Sequence, residues 1–377
     1  MSIGPGDKRD PVVLIAHDYV TQRGGAERVV LSLLDAFPGS ELVTSVYAPE
    51  ATFPEFANYR IHRLWPGRLG VFRKDPRRAM PALASAFGFA RPPRADVVIC
   101  SSSGWAHGLN TDAPKIIYCH TPARWLYQLE DYLPEIPKPA RLPVRALLPF
   151  LRRWDRKAAK EAAVYIANSS IVRDRIRRSY GRDAEVINPP VVIDVDGEQE
   201  PIPGVEPGYL LCVSRARGYK NVTAICQAVA DSPGERLVVV GPLPPDAVTD
   251  AEAAQRVTAV SRLSDAQMRW VYSNAAALIA VSREDFGLTP IEAYAFGTPA
   301  ILLGAYGYLD SSIDGTTCVF VPSGDTAAIK DGITRFRATH FDPEVLKAHA
   351  ETFSEAHFHE KLRRIVDDVL TAGSTSR

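Results

Sequence analysis

The segment ALIAVSREDFGLTPIEAYAFGTPAILL, residues 277–303, decides the fold class. Its two ends, ALIAV and AILL, are short apolar runs of the kind that form buried strands. Between them a Gly-containing turn leads to Thr289, Pro290 and Glu292, which fit the N-cap, first and third positions of a helix. A strand, a helix and a second strand in this order predict a right-handed crossover between parallel strands.

Short apolar runs alternate with amphipathic stretches over the rest of the chain, and they fall into two series. The first series predicts one sheet, with strands at residues 12–16, 41–46, 96–101, 115–120, 163–168 and 184–188. The second predicts another sheet, with strands at residues 209–214, 236–241, 256–260, 277–281, 300–303 and 318–321. We therefore predict an α/β protein with two doubly wound, Rossmann-like parallel sheets.

The two series are separated by DVDGEQEPIPGVEPG, residues 194–208, which is rich in Gly, Pro and acidic residues and lacks an apolar period. A chain of 377 residues is also longer than one hydrophobic core usually supports. Apolar side chains recur at helical spacing in residues 353–370. We predict an N-terminal domain at 1–195, a linker at 196–207, a second domain at 208–352, and a terminal helix and tail at 353–377.

Composition narrows the class of protein. The 44 basic residues balance 44 acidic ones, so net charge gives no argument for a nucleic-acid partner. The N-terminal sequence MSIGPGDKRDP has no apolar core that would serve as a secretory signal, so we expect a cytoplasmic protein. The five cysteines are odd in number and show no C-x-x-C spacing, and we expect them to be reduced core residues.

Gly24 and Gly25 stand between the first predicted strand and a helix that begins near Ala26. Glycine lets the backbone approach a ligand closely and a helix N-terminus favours an anion, so this loop suits a phosphate group. The alternative is a tight turn that needs a positive φ. Because the spacing is not G-x-G-x-x-G, the sequence does not favour a nicotinamide-dependent oxidoreductase.

Two further sets of polar residues follow predicted strands. His120, in KIIYCHTPARW, lies at a strand end, which in a doubly wound sheet borders the ligand crevice. We interpret His120 as a candidate catalytic residue, with a hydrogen-bonded structural histidine as the alternative.

Three cations, Arg215, Arg217 and Lys220, follow the predicted strand YLLCVS. Their charges suit a diphosphate. The alternative is a solvated loop.

Glu284 follows the predicted strand 277–281, and seven residues separate it from Glu292. The turn between them contains Phe286, Gly287 and Leu288. Backbone N–H groups of this turn can bind phosphate, and a carboxylate on either side can accept hydrogen bonds from sugar hydroxyls. The alternative for Glu292 is a purely structural capping box with Thr289.

Metal-binding patterns are weak in this sequence. Asp194 and Asp196 form a D-x-D pattern, but they lie in the predicted linker. The histidines form no H-E-x-x-H motif and no Cys/His cluster, so nothing in the sequence supports a zinc site. We expect neither a metal nor a cofactor.

Residues 141–182 contain twelve Lys or Arg residues and include RALLPFLRRWDRKAAK, in which apolar and cationic residues alternate. This pattern suits peripheral contact with an anionic membrane. The alternative is a solvated helix face.

In this order, RGGAERVV, YCHTPARW, INPPV, VSRARGYKN and EDFGLTPIEAYAFGTP resemble the landmarks of the family-four, or group 1, retaining glycosyltransferases, over nearly the whole chain. The resemblance implies the GT-B fold, in which two Rossmann-like domains face each other across a cleft and the C-terminal helix returns to the N-terminal domain. It also implies transfer of a hexose from a sugar nucleotide to a saccharide or lipid-linked acceptor.

The resemblance further implies roles for individual residues. It places Glu284 near the transferred sugar, Glu292 at the nucleotide ribose, and Arg215 and Lys220 at the donor diphosphate. It places His120 at the reacting sugar, and the glycine loop at residues 24–25 on the donor and acceptor side.

The EDFG form is similar to that of bacterial mannosyltransferases that build surface polysaccharides, which favours GDP-mannose as donor. Two positions depart from the family pattern: Arg217 replaces a commonly apolar residue, and YGYLD at residues 306–310 replaces a Gly-Gly-x-x-Glu turn. A UDP-, dTDP- or ADP-sugar is therefore the alternative donor. A sugar-nucleotide-binding scaffold subunit without catalysis is the alternative of another class.

Overall fold

The structure is a computed structural model that describes residues 10–70, 80–129, 138–214, 220–245, 247–248 and 254–375. The chain divides into two compact units. Unit 1 comprises Met1–Ile187 and Phe358–Arg377, and unit 2 comprises Asn188–His357. The chain therefore leaves unit 1 once and returns to it at the end.

Unit 1 is built on a seven-stranded sheet in the order β3-β2-β1-β4-β5-β6-β7, in which every pair is parallel. Its strands are β1 (Val13–His17), β2 (Glu41–Thr44), β3 (Ile61–Arg63), β4 (Val97–Ser102), β5 (Lys115–Cys119), β6 (Val164–Ala167) and β7 (Glu185–Val186). The strand order reverses beside β1, as in doubly wound folds. β3 has no counterpart among the predicted strands, because it is a three-residue edge strand with no fully buried residue.

Helices cover this sheet. They are α1 (Gly25–Ala36), α2 (Met80–Gly88), α3 (Arg124–Tyr127), α4 (Lys138–Lys160) and α5 (Ser170–Tyr180), with 3-10 helices at Pro54–Asn58, Trp65–Arg68 and Ala106–Gly108. α1 packs Val30, Leu33 and Leu34 into the core formed with the strands, as its apolar spacing predicts.

Unit 2 is built on a six-stranded parallel sheet in the order β10-β9-β8-β11-β12-β13. Its strands are β8 (Tyr209–Val213), β9 (Leu237–Val240), β10 (Val257–Val260), β11 (Ala275–Ala280), β12 (Ala300–Leu303) and β13 (Cys318–Val321). Its helices are α6 (Val222–Ala230), α7 (Asp265–Asn274), α8 (Leu288–Ala295), α9 (Tyr308–Ser311), α10 (Thr326–Arg337) and α11 (Pro343–Glu351). The opening segment of sequence, 277–303, is the parallel β11-α8-β12 unit that its pattern predicts.

The last helix, α12 (Glu355–Thr375), completes the core of unit 1. Its buried side chains are Phe358, Leu362, Ile365, Val366 and Val369. Phe358 packs edge-on against Tyr118 of β5, with 5.6 Å between ring centroids. The predicted α/β fold with two doubly wound parallel sheets and a returning C-terminal helix is therefore confirmed.

All five cysteines are buried, and none is in a disulfide. Among the described residues, no helix is both long and apolar enough to cross a membrane.

Candidate functional site

Three polar side chains meet where neighbouring strands of unit 1 end. His17 closes β1, Ser101 lies opposite it on β4, and His120 follows β5. Nδ1 of His17 lies 2.9 Å from the Ser101 carbonyl oxygen and 3.0 Å from its Oγ. The same Oγ lies 2.7 Å from Nε2 of His120. A buried chain of two imidazoles and one hydroxyl therefore lies at the sheet edge where open α/β sheets bind ligands.

The hydrogen-bond partners of the two histidines limit which ring nitrogens carry protons. A carbonyl oxygen only accepts, so Nδ1 of His17 donates to Ser101. The Ser101 hydroxyl accepts from the same N–H, and its Oγ has both a proton to donate and a second lone pair with which to accept at Nε2 of His120. When the hydroxyl donates, Nε2 accepts and the neutral His120 ring carries its proton on Nδ1. In that arrangement His120 is an N–H donor through Nδ1.

Burial keeps His120 uncharged. Its side chain is 9% exposed and lies edge-on to Tyr118, with 5.4 Å between ring centroids. Burial, and after it the neighbouring His17, lowers the pKa of His120 to about 3. At neutral pH the ring is therefore a hydrogen-bonding group and not a cation.

Asp18, the residue after β1, holds the loop that follows β4. Its buried carboxylate accepts hydrogen bonds from the backbone N–H groups of Ser103 at 2.7 Å, Trp105 at 3.1 Å and Ala106 at 2.6 Å. Three such bonds to one carboxylate fix the loop firmly, since each is charge-assisted. The loop begins two residues after Ser101, so Asp18 also helps to position the histidine chain.

The glycine pair begins α1, as predicted. Gly24 is the N-cap residue with φ −120°, and as a glycine it has no side chain to cap this helix. The alternative of a turn that needs a positive φ is therefore wrong at Gly24, whose backbone is extended. A Cβ at this position would lie 2.4 Å from Oε2 of the buried Glu27, so crowding explains the glycine. The N–H groups after Gly25 carry the partial positive charge of a helix N-terminus.

In unit 2, the ammonium group of Lys220 lies 2.6 Å from Oε1 of Glu284. The two side chains are only 15% and 20% exposed, so the pair is partly shielded from solvent. Arg215 and Arg217, which precede Lys220 in the same segment, lie outside the described residues. The structure thus places one predicted cation directly beside one predicted carboxylate.

Ser282 and Tyr308 complete the surroundings of Glu284. The Ser282 hydroxyl donates to Oε1 of Glu284 at 3.1 Å and lies 3.2 Å from the Tyr308 hydroxyl. Ser282 and Tyr308 are buried, whereas Glu284 is partly exposed. One carboxylate oxygen is therefore fixed by an ammonium and a hydroxyl together. The sequence does not mark Tyr308 as a neighbour of Glu284, because most of the β11-α8-β12 unit separates the two residues.

Two glycines let the turn before α8 and the turn before α9 pack closely. Gly287 has φ +87°, and a Cβ there would lie 2.6 Å from Cε1 of Tyr308. A Cβ at Gly307 would lie 2.2 Å from Cα of Phe286. The N–H of Gly307 donates to the carbonyl of Glu284 at 3.1 Å. The segment 306–310, which departs from the family pattern, therefore lies directly against the predicted phosphate-binding turn.

Glu292 has a different setting from the capping box that is its structural alternative. α8 begins at Leu288 with Gly287 as N-cap, so Thr289 lies inside the helix and the capping-box interpretation is wrong. Instead, the Tyr272 hydroxyl donates to Oε2 of Glu292 at 2.5 Å. Burial, and after it Glu292, raises the pKa of Tyr272 well above its usual value, so this hydroxyl keeps its proton.

The turn of Phe286, Gly287 and Leu288 lies between these two carboxylates in sequence. Phe286 is buried and Leu288 half-buried. The N-cap residue Gly287 has no side chain to cap the helix that follows, and the first turn of a helix has backbone N–H groups of the kind that bind anions.

The predicted site residues lie in both units: Gly24, Gly25 and His120 in unit 1, and Lys220, Glu284, Phe286, Gly287, Leu288 and Glu292 in unit 2. Asp194 of the D-x-D pattern accepts a hydrogen bond from the N–H of Asp196 at 3.2 Å and lies 3.6 Å from Arg269. In the part of the chain that the structure describes, no group of three His, Cys, Asp or Glu side chains is arranged to hold a metal ion.

Family models match both halves of the chain. A model described as Glycosyltransferase Family 4 matches residues 23–195, and one described as Glycosyl transferases group 1 matches residues 198–352. No curated protein is significantly similar to the chain in sequence.

Several solved structures are similar to this fold. The apo form of the lipopolysaccharide outer core galactosyltransferase WaaB is 16% identical, with a TM-score of 0.65 over 94% of this chain and 99% of that one. Anabaena HepE in complex with UDP is 14% identical, with a TM-score of 0.68 over 95% and 100%. Sucrose-phosphate synthase from Thermosynechococcus elongatus is 19% identical, with a TM-score of 0.64 over 96% and 100%. Identities this low show the fold alone, and together with the two family models they identify the chain as a group 1 glycosyltransferase with the GT-B fold.

Proposed function

We propose that the protein is a retaining glycosyltransferase that moves a hexose from a sugar nucleotide to a saccharide or lipid-linked acceptor during glycan assembly. The observation that carries the proposal is the Lys220–Glu284 pair at 2.6 Å beside the turn that begins α8. A cation for a diphosphate and a carboxylate for sugar hydroxyls lie next to each other, as the two halves of a sugar nucleotide require.

The leaving group is the nucleoside diphosphate, on which negative charge develops as the sugar bond breaks. Lys220 and Arg215 supply fixed positive charge to its oxygens, and the N–H groups of residues 286–288 and of the loop at 24–25 add hydrogen bonds. These donors do the work that a divalent ion does in other transferases. We therefore propose transfer without a metal or cofactor.

The remaining site residues bind the donor on either side of the diphosphate. Glu284 accepts hydrogen bonds from hydroxyls of the transferred hexose, while Glu292, which is held by Tyr272, binds the nucleotide ribose. His120 donates from Nδ1 to the reacting sugar, since Ser101 occupies its Nε2. The acceptor hydroxyl attacks from the face that the diphosphate leaves, and a diphosphate oxygen takes its proton, which retains the anomeric configuration.

GDP-mannose is the donor we favour, because residues 284–287 have the EDFG form. UDP-, dTDP- and ADP-sugars are the competing donors, and the similar HepE structure contains UDP. We place the reaction in the cytoplasm, with peripheral contact at the inner face of the plasma membrane when the acceptor is lipid-linked, and without a nucleic-acid partner.

Thermal-shift titration with GDP-mannose and with UDP-, dTDP- and ADP-sugars tests the donor, followed by a donor-turnover assay with the sugar nucleotide that stabilises the protein most. We expect GDP-mannose to give the largest stabilisation and measurable release of GDP. A larger shift with another donor contradicts the GDP-mannose assignment. Binding without turnover on any acceptor supports the scaffold alternative.

A further inference from the structure

We propose that α4 (Lys138–Lys160) is the surface by which the protein binds an anionic lipid bilayer. The proposal rests on the proposed function only in the choice of a lipid-linked acceptor, because vesicle binding requires no turnover. The helix contains eight Lys or Arg residues and a single acidic residue, Asp155. Its inner and outer faces are chemically different.

The inner face is held in unit 1 by Asp155. This carboxylate is fully buried, accepts a hydrogen bond from the Tyr127 hydroxyl at 2.6 Å, and lies 3.0 Å from Nε2 of His107. The neighbouring Trp154 packs against the His107 ring with 5.6 Å between centroids. The only carboxylate of the helix is therefore turned inward, and it does not offset positive charge on the outer face.

Large apolar side chains lie on the exposed face instead. Leu142 is 77% exposed, Leu147 is 45% exposed and Phe150 is 71% exposed. Leu142, Leu147 and Phe150 form an apolar patch at the first half of α4, of the kind that marks an interaction surface.

The second half of α4 carries exposed cations. Arg153, Arg156 and Lys160 are exposed, and Lys157 is 79% exposed with Glu161 at 3.9 Å. Membrane-surface helices carry large apolar and cationic side chains together in this way. An anionic bilayer can bind both halves of α4, because the apolar side chains insert among the acyl chains and the lipid phosphates attract the cations.

Co-sedimentation of the full chain with vesicles tests the proposal at low and high salt. The vesicles are phosphatidylcholine alone or phosphatidylcholine mixed with phosphatidylglycerol. We expect binding to the anionic vesicles that weakens in high salt, because screening reduces the attraction between cations and lipid phosphates. Equal binding to both kinds of vesicle, or binding to neither, overturns the proposal.

Paired variants assign the contact to α4. Arg153→Glu with Lys160→Glu should lower the partition coefficient by roughly thirtyfold or more, since each cation near an anionic surface contributes about fivefold. Leu142→Gln with Phe150→Gln should lower it by at least about tenfold. All four side chains are exposed, so folding should be unaffected.

Matched controls alter exposed residues on other elements. Lys330→Glu with Lys361→Glu makes the same change in charge as the paired α4 charge variant. Val12→Gln with Val345→Gln makes the same kind of change in polarity as the paired α4 apolar variant. We expect both controls to bind anionic vesicles like the unaltered protein. If the α4 variants and the controls bind equally, α4 is not the contact surface. Donor turnover on a soluble acceptor should be unchanged in every variant, so a failed proposed function would show separately as absent turnover in the unaltered protein.

Discussion

The hydroxyl oxygen of Ser101 lies 2.7 Å from Nε2 of His120, the residue that follows β5 in the candidate site. His17 lies on the other side of Ser101, with Nδ1 2.9 Å from the Ser101 carbonyl oxygen and 3.0 Å from its Oγ, so the serine links the two histidines. In the proposed mechanism the Ser101 hydroxyl donates to Nε2, which places the proton of His120 on Nδ1. Ser101 is a positioning residue, which acts through His120.

Ser101→Ala should lower donor turnover by roughly tenfold while leaving nucleotide affinity unchanged, because His120 loses the hydroxyl that, in the proposed arrangement, donates to its Nε2 and fixes its tautomer. Nitrogen NMR of the imidazoles should show the Nδ1–H form of His120 in the unaltered protein and a mixture of tautomers in the variant. Ser85→Ala removes a hydroxyl that donates to the Ala82 carbonyl within α2 and serves as the control. An unchanged tautomer in Ser101→Ala contradicts the assignment.

His120→Gln should lower transfer by at least about tenfold and also make the protein less sensitive to acid. The folded-state pKa of about 3 lies below the usual value of about 6.5, so the unfolded chain binds this proton more readily and acid favours unfolding. Between about pH 7 and pH 5, His120 should cost about 2 kcal/mol of stability, which the variant retains. Urea unfolding at both pH values measures this difference, and an equal loss in both proteins would contradict the lowered pKa.

Substitutions of the two glutamates should differ in their effects on nucleotide binding and on turnover. Glu292→Gln should weaken nucleotide binding, whereas Glu284→Gln should lower turnover more than affinity for the bare nucleotide. Tyr272→Phe should reproduce part of the Glu292 effect, because it removes the hydroxyl that holds that carboxylate. Calorimetric titration with the nucleotide and a turnover assay distinguish these outcomes. If both glutamate variants merely melt at lower temperature, the carboxylates are structural.

Activity should survive excess EDTA, because fixed cations replace the metal in the proposed mechanism. Lys220→Ala and Arg215→Ala should each lower turnover by roughly a hundredfold or more, the loss typical of removing one such donor. Lys220→Ala also releases Glu284 from its ion pair, so Lys220→Met, which keeps the length of the side chain, should be measured beside it. Loss of unaltered activity in EDTA, restored by Mg²⁺ or Mn²⁺, would overturn metal independence.

Gly307→Ala should lower the free energy of unfolding by about 1–3 kcal/mol, since the new Cβ would lie 2.2 Å from the backbone of Phe286. Gly307 has a φ of −67°, so this loss reports crowding and not backbone strain. Gly373→Ala, where the added Cβ meets nothing within 4 Å, is the control and should be neutral or slightly stabilising. Urea unfolding of both variants checks the prediction, which fails if the two are equally stable.

Most of the fold follows from local patterns. The buried strands β1, β4, β5 and β8 are continuous apolar runs, so their positions agree with the sequence prediction within a few residues. β3 was not predicted, because its three residues, Ile61–Arg63, lie at the sheet edge, are not fully buried and do not form a continuous apolar run. Their strand conformation depends on pairing with β2, which is a tertiary effect.

The candidate site was less accessible to sequence reasoning. Glu284 and Glu292 stand out through their spacing, and His120 through its place after an apolar strand. Ser101 and Tyr272 do not, because the partners that give them a role lie 19 and 20 residues away in sequence. The sequence predicts Thr289 as the N-cap of α8, whereas the N-cap is Gly287. The backbone conformation of Gly287 depends on its packing against Tyr308, which the local sequence does not reveal.

The return of α12 to unit 1 has a consequence for how the protein is made. Phe358, Leu362 and Ile365 fill the core under the first sheet, yet the ribosome adds them after the whole of unit 2. Unit 2 is a continuous stretch of chain and has everything it needs to fold as soon as it emerges. Unit 1, which is synthesised first, is therefore completed last, and until α12 emerges the part of its core that α12 covers stays exposed.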